Sequence, residues 1–318
     1  MSAARRIRPL DVFTHEEWAH VSRRSSWMGL ALVAHCWAVI GLAMAAAIWQ
    51  PWLIILVVPV IGARQLGLAI LMHEAAHGGL NKNQKVNNWV GQWLTAAPVG
   101  ANLKAYRPYH LTHHKYAQQP EDPDLILSAP FPVTPASLRR KILRDMTGQT
   151  FLKQRRNQFA NAFGIGIRPG KGAENRAQGA REAVVPFLIV NAVLLAGLTL
   201  SGHWWAYFVL WLLPLATWNQ LVTRLRNIAE HAVVPDNEDP MRHARTTYAS
   251  WWEGLLIAPY WVNYHCEHHM FMHLPCYRLG EAHALLREKG VVERMEVQPG
   301  YLTVLKQASS KPSTLAMA

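Results

Sequence analysis

Four stretches of this chain are apolar almost without interruption, and the segments between them are strongly polar. Residues 28–49 contain no Asp, Glu, Lys or Arg. As a helix this stretch is roughly 33 Å long, enough to cross a bilayer core. Residues 52–71 repeat the pattern with a single charge, Arg64. Residues 183–200 and 204–222 form a second pair, interrupted by Pro186 and Pro214 but by no charge. Proline is better tolerated in lipid-embedded helices than in soluble ones. One such run would be read as a buried core helix. Four, placed in two close pairs, predict an all-α membrane protein with four transmembrane helices in two hairpins.

Charge adds an orientation. The turns inside the two hairpins, Gln50-Pro51 and Ser201-Gly202-His203, carry no Lys or Arg. Of the 32 basic residues, 5 precede the first span, 16 lie between the second and third, and 10 follow the fourth. By the positive-inside rule both termini and the long middle segment face the cytoplasm. Trp49, Trp52, Trp204 and Trp205 flank the short turns, as an interfacial aromatic belt would. The predicted organisation is therefore a cytoplasmic segment over 1–27, one membrane domain over 28–300 and a loose tail over 301–318. Within the domain, 72–182 and 223–300 form a cytoplasmic helical cap.

Composition removes several function classes. The net charge of +12 follows the topology and comes with no nucleic-acid motif, so anionic lipid headgroups account for it. Cys36, Cys266 and Cys276 form no CxxC pair and imply no disulfide framework. A signal peptide ending near Ala43–Ala47 is disfavoured by the long polar lead and by the second span that follows at once.

Eight of the sixteen histidines fall in three clusters: His73-Glu-Ala-Ala-His77, His110-Leu-Thr-His113-His114 and His265-Cys-Glu-His268-His269. Imidazole is the commonest transition-metal ligand. Residues at i and i+4, or at i, i+3 and i+4, share one helix face. Each cluster can therefore offer two or three ring nitrogens to one point. Eight imidazoles exceed the needs of one tetrahedral zinc and suit two metal ions. On the predicted topology all three clusters lie on one side of the membrane. His231 is a ninth candidate, because Asn227-Ile-Ala-Glu-His231 follows the fourth span as the first pair follows the second. Asn227, one turn earlier, can act directly or through a water. His15, His20, His35, His203, His243, His273 and His283 are read as structural or surface residues, with His273 the first to be promoted.

HEAAH alone also matches the zinc-protease motif, in which two histidines hold zinc and the glutamate acts as base. That reading leaves two HxxHH trios unexplained. A non-catalytic metal-binding membrane protein is a third possibility.

HEAAH, HLTHHKY, NIAEH and HCEHH, in that order around two apolar hairpins, resemble the membrane fatty acid desaturase superfamily, which includes hydroxylases and ketolases. Glu121-Asp-Pro-Asp124 and the Leu-Pro-Cys-Tyr-Arg run after the third box add to the likeness, which spans roughly Met28 to Leu286. The resemblance implies a histidine-ligated pair of iron ions that uses O2 to remove hydrogen from an unactivated C–H bond. It implies as ligands His73, His77, His110, His113, His114, His231, His265, His268 and His269, with Asn227 through water. Glu74, Asp122, Asp124, Glu230 and Glu267 are candidates to hold the outer N–H groups of these rings. The implied substrate is a lipid-borne acyl chain. The implied electron donor is a separate ferredoxin, rubredoxin or cytochrome b5 with its reductase. Trp89, Trp93, Trp251, Trp252, Tyr260 and Trp261 are candidates to line the acyl cavity or to anchor the interface.

Departures narrow the likeness. The first box is one residue shorter than in acyl-CoA desaturases of the Δ9 type, which disfavours a CoA substrate. The third box begins with His rather than Gln and no HPGG signature occurs, which disfavours a front-end desaturase. Arg64, about 13 Å before His73 along a helix, is unusual within a span.

Overall fold

The computed structural model describes residues 6–165 and 173–312. Residues 1–5 of the N-terminal segment and 313–318 of the expected tail lie outside them. The elements that position the site are α1 (Met28–Trp49), α2 (Ile54–Ala76), α3 (Leu103–Tyr116), α4 (Gln149–Ala162), α5 (Ala173–Leu200), α6 (Trp218–His231), α7 (His265–Met270), α8 (Leu279–Glu288) and α9 (Tyr301–Ala308). A two-stranded parallel ladder pairs β1 (Thr246–Thr247) with β2 (Val297–Gln298), Thr246 opposite Val297. The chain divides into two compact units, one of 26–106 and 143–222, the other of the residues up to 25, 107–142 and those from 223 on.

The first unit carries the apolar helices. Among the described residues three are long and apolar enough to cross a membrane: Met28–Trp49, Pro51–Ala76 and Gln178–Leu200. Their outer faces keep large apolar side chains exposed, including Leu42, Ile55 and Val193. The fourth predicted span is not one helix of that kind. Residues 204–216 form short helical pieces, with a π-helical turn over Tyr207–Leu212, and Thr217 departs from helical geometry before α6 begins. Pro214 explains part of the break, since its ring removes one backbone donor from the ladder. Between these pieces and α5, Asn191 satisfies two buried donors. Its side-chain oxygen accepts from Tyr207 Oη at 3.1 Å and Trp211 Nε1 at 2.8 Å, and its own amide donates to the Phe187 carbonyl at 2.9 Å.

α1 and α2 pack side by side, joined by a short Pro51–Leu53 turn. Gly29 is there because nothing larger fits: a Cβ would lie 2.4 Å from Leu80 Cα and 2.5 Å from the Leu80 carbonyl oxygen. Backbone cannot swing aside as a side chain can. Gly29→Ala is expected to destabilise the protein by about 1–3 kcal/mol, the usual range for overpacking. Thermal unfolding of purified protein in detergent checks this, and an unchanged midpoint would show that the helix simply slides.

The second unit holds α3 from Arg107 on, α6 from Thr223 on, α7, α8 and α9. The tail differs from expectation. Tyr301–Ala308 is a helix rather than a loose segment, with Tyr301, Val304 and Ala308 buried on one face. Its end is tied down by backbone bonds from Val133 N to Ala308 O at 2.8 Å and from Lys311 N to Val133 O at 3.2 Å. The i, i+3, i+7 spacing of those buried residues is the helical signal in the sequence.

Candidate metal centre

In the second unit, α3 aligns His110, His113 and His114 by its own periodicity, and all three are buried. α7 does the same for His265, His268 and His269. α6 ends at His231, with Asn227 half-buried one turn earlier. The rings form two sets. In one, His114 Nε2 stands 2.9 Å from both His110 Nε2 and His268 Nε2. In the other, one ligand atom each from His113, His231, His265 and His269 lies within 4.8 Å of all the rest. There His113 Nε2 is 3.2 Å from His269 Nε2, and His265 Nε2 is 3.0 Å from His231 Nε2.

These spacings fit a metal. A neutral imidazole carries one N–H, so three facing Nε2 atoms cannot all satisfy one another. Two ligands at right angles around a metal with bonds of about 2.1 Å stand about 3.0 Å apart. The outward nitrogens of three rings face oxygen, as those of ligating histidines do. His113 Nδ1 meets the Asp122 carboxylate at 2.8 Å, and His231 Nδ1 donates to the His243 carbonyl at 3.1 Å. His265 Nδ1 lies 3.4 Å from Glu230 Oε1. Burial pushes His231, His265 and His269 well below the ordinary imidazole pKa, with neighbouring histidines adding to the effect. Neutral rings with free inward lone pairs are what a cation needs. Burial also pushes Glu230 up to about 7, outweighing the Arg226 guanidinium 2.5 Å away.

The five carboxylates proposed from sequence divide by what they touch. Asp122, besides holding His113, accepts from the backbone N–H of Gln118 at 2.9 Å and of Asp124 at 2.8 Å. Asp124 accepts from Tyr109 Oη at 2.5 Å and lies 3.9 Å from His113 Nδ1. Glu267 is fully buried and supports the third box from behind, bonded to Thr246 Oγ1 and to His283 Nδ1 at 2.5 Å. Glu74, in the first unit, packs against Gly79, where a Cβ would collide with Glu74 Oε1. Asp122→Asn is expected to weaken metal affinity about 10- to 100-fold, because His113 would lose its charged orienting partner. Competition titration against a chelator measures this, and an unchanged affinity would show that Asp122 serves only the loop.

His73 and His77 belong to the first unit. α2 continues past the apolar stretch through Ala76, so His73 sits in its last turn and His77 caps it. Their ring centroids are 5.0 Å apart, and both rings are half-buried.

Three residues escaped the sequence reading. His243, His283 and Thr246 are isolated in sequence, and only tertiary contact brings them to the boxes. His243 is buried, with its ring centroid 5.5 Å from that of His269. His273, the histidine most open to promotion, is exposed and belongs to neither set. Of the aromatic candidates, Tyr260 is buried, whereas Trp89, Trp251, Trp252 and Trp261 are exposed, which suits anchoring at an interface better than lining a cavity.

A family model described as fatty acid desaturase matches residues 47–297, most of the chain and every histidine box. The chain belongs to the fatty acid desaturase family. Curated relatives include dihydrorhizobitoxine desaturase of Bradyrhizobium elkanii, 28% identical over 89% of this chain and 79% of that protein. The sn-1 oleoyl-lipid 12-desaturase of a Picosynechococcus species is 22% identical over 82% of this chain and 75% of its own length. The beta-carotene ketolase of a Paracoccus species is 25% identical over 78% and 88% respectively. Family membership makes the chain a member of an oxidoreductase family and leaves its specific reaction and substrate open.

Proposed function

We propose that this desaturase-family protein is a polytopic membrane enzyme that uses O2 and a pair of iron ions to introduce a double bond into a lipid-borne acyl chain. The supporting observation is the convergence of two sets of imidazole nitrogens, with the outer nitrogens of His113 and His231 held by carboxylate and carbonyl oxygen. His113, His231, His265 and His269 would hold one iron, and His110, His114 and His268 the other. By the family's pattern His73 and His77 complete the second set, and Asn227 contributes through water. When bound, the iron pair would supply activation of O2 and removal of hydrogen from an unactivated C–H bond.

The protein's own residues keep His231, His265 and His269 neutral by burial and fix the rings of His113, His265 and His231 through Asp122, Glu230 and the His243 carbonyl. The apolar helices would deliver an acyl chain from the bilayer, with both termini and the histidine boxes on the cytoplasmic side. Electrons would come from a separate ferredoxin, rubredoxin or cytochrome b5 with its reductase. A second reading, hydroxylase or ketolase chemistry on a lipid, carotenoid or smaller amphiphile, draws support from the ketolase among the relatives. The zinc-protease reading of HEAAH loses ground to family membership, since it uses none of the seven imidazoles gathered in the second unit.

Expression in a host of simple lipid profile, followed by lipid mass spectrometry, tests the reading. A new species lacking two hydrogens, formed only with oxygen present, is the expected result. A gain of oxygen would establish the second reading, and products formed without oxygen would contradict both.

A further inference from the structure

A cavity of about 190 Å3 opens beside the histidine sets within the second unit, reaching His114 and His269 on its inner side. At roughly 30 Å3 per water it has room for about six water-sized groups. Its walls include Trp18, Met270 and Phe271, all contributing apolar surface. Phe271 packs at a tilt against Phe13 and Trp18, at centroid distances of 5.2 and 5.8 Å, so this wall is an aromatic cluster.

One polar group on that wall is unspent. His243 lines the cavity, is only 4% exposed, and neither of its ring nitrogens has a hydrogen-bond partner. Its backbone is engaged, the carbonyl accepting from His231 Nδ1 and the N–H donating to the Asp239 carbonyl at 2.9 Å, so the ring nitrogens alone are left. A buried donor and acceptor left without partners are costly, and proteins keep them mainly where something else completes the bonds. Asp122, Asp236 and Asp239 act on His243 from behind the wall, but the charged side chain on the lining itself is basic. Arg6 lines it, and Arg24 donates to the carbonyl of His273, another lining residue, at 3.4 Å. Among the described residues no carboxylate lines the cavity.

We propose that this cavity is a binding site for a short hydroxy- or keto-carboxylate, with His243 hydrogen-bonding the hydroxyl or carbonyl oxygen and Arg6 attracting the carboxylate. The lining chooses that class. A cation has no acidic partner here, a long acyl chain exceeds the volume, and a purely apolar molecule leaves His243 unsatisfied. The site is made by side chains of this chain and does not depend on which metal the neighbouring histidines hold.

Saturation-transfer NMR on the full-length protein in detergent measures the affinity for 4-hydroxybutyrate, with butyrate and 1,4-butanediol as comparison ligands. His243→Phe is expected to weaken 4-hydroxybutyrate by about tenfold and butyrate much less, because butyrate lacks the hydroxyl that His243 would bind. Arg6→Ala is expected to weaken both carboxylates about two- to fivefold and leave the diol unchanged, since an exposed ion pair contributes modestly. Affinities should be the same before and after chelator treatment. Absence of saturable binding to the wild type, equal losses for all three ligands in His243→Phe, or binding that needs the metal would each overturn the proposal. If His243→Phe does not fold, Met272→Trp, which fills the cavity from a half-buried wall position, should abolish binding of all three, and retained binding would overturn it equally.

Discussion

His113→Ala and His268→Ala are expected to leave a protein that still inserts in the membrane but turns over no substrate and retains less metal. Each ring belongs to a different set, so the two variants test the two proposed ion positions separately. Removing His268 takes away a nitrogen 2.9 Å from His114 Nε2. Removing His113 also strips Asp122 of its imidazole partner, leaving a buried carboxylate with backbone N–H groups alone. Replacing a mere outer partner of a metal ligand costs 10- to 100-fold. Loss of the ligand itself should therefore reduce turnover by more than about a hundredfold. Activity of the purified variants, normalised to membrane-inserted protein, reads the effect. Full activity in either one removes that residue from the ligand set.

Glu267→Ala is expected to have the largest effect on stability of any single change near the boxes. The Glu267 carboxylate has no solvent exposure and links Thr246 on β1 to His283 on α8, while His283 Nε2 continues to Tyr248 Oη at 3.1 Å. Thr246 Oγ1 in turn receives the backbone N–H of Cys266 at 3.3 Å. The carboxylate thus ties the first turn of α7 to the strand and helix behind it. Truncating one member of such a buried network costs about 3–5 kcal/mol, because its partners are left desolvated and unpaired. A scanning thermal unfolding experiment should show Glu267→Ala well below the wild type and Glu267→Gln between them, since the amide oxygen still accepts one bond. Metal content should fall in the same order. Wild-type unfolding in Glu267→Ala would mean that the network does not hold the third box.

Much of the histidine grouping could be read from spacing because the rings of each box are local in sequence. HxxxH and HxxHH place rings on one helix face, which periodicity predicted, but each trio divides between the two sets, His113 apart from His110 and His114 and His268 apart from His265 and His269. His231 was legible through the parallel position of NIAEH after an apolar stretch. What spacing could not supply is contact at long range. His243 and His283 are single histidines with no patterned neighbour, and Glu267 was expected to steady a ligand ring rather than to bond Thr246 and His283. The apolar helices were legible for a similar reason, since length and absence of charge are enough. The fourth stretch was read as a span interrupted by Pro214, and the structure gives shorter helical pieces there, with Thr217 out of helical geometry. Composition reports hydrophobicity and not continuity of the hydrogen-bond ladder. The helix at Tyr301–Ala308 was obscured by the polar residues that follow it.

Iron and zinc content per chain, measured by mass spectrometry on protein purified without added metal, tests the central claim most directly. Two gathered sets of imidazoles in a chain of this family predict about two irons per chain and little zinc, with both irons lost from a variant lacking His113 and His268 together. One zinc per chain, or iron content unaffected by removing those two rings, would contradict the account.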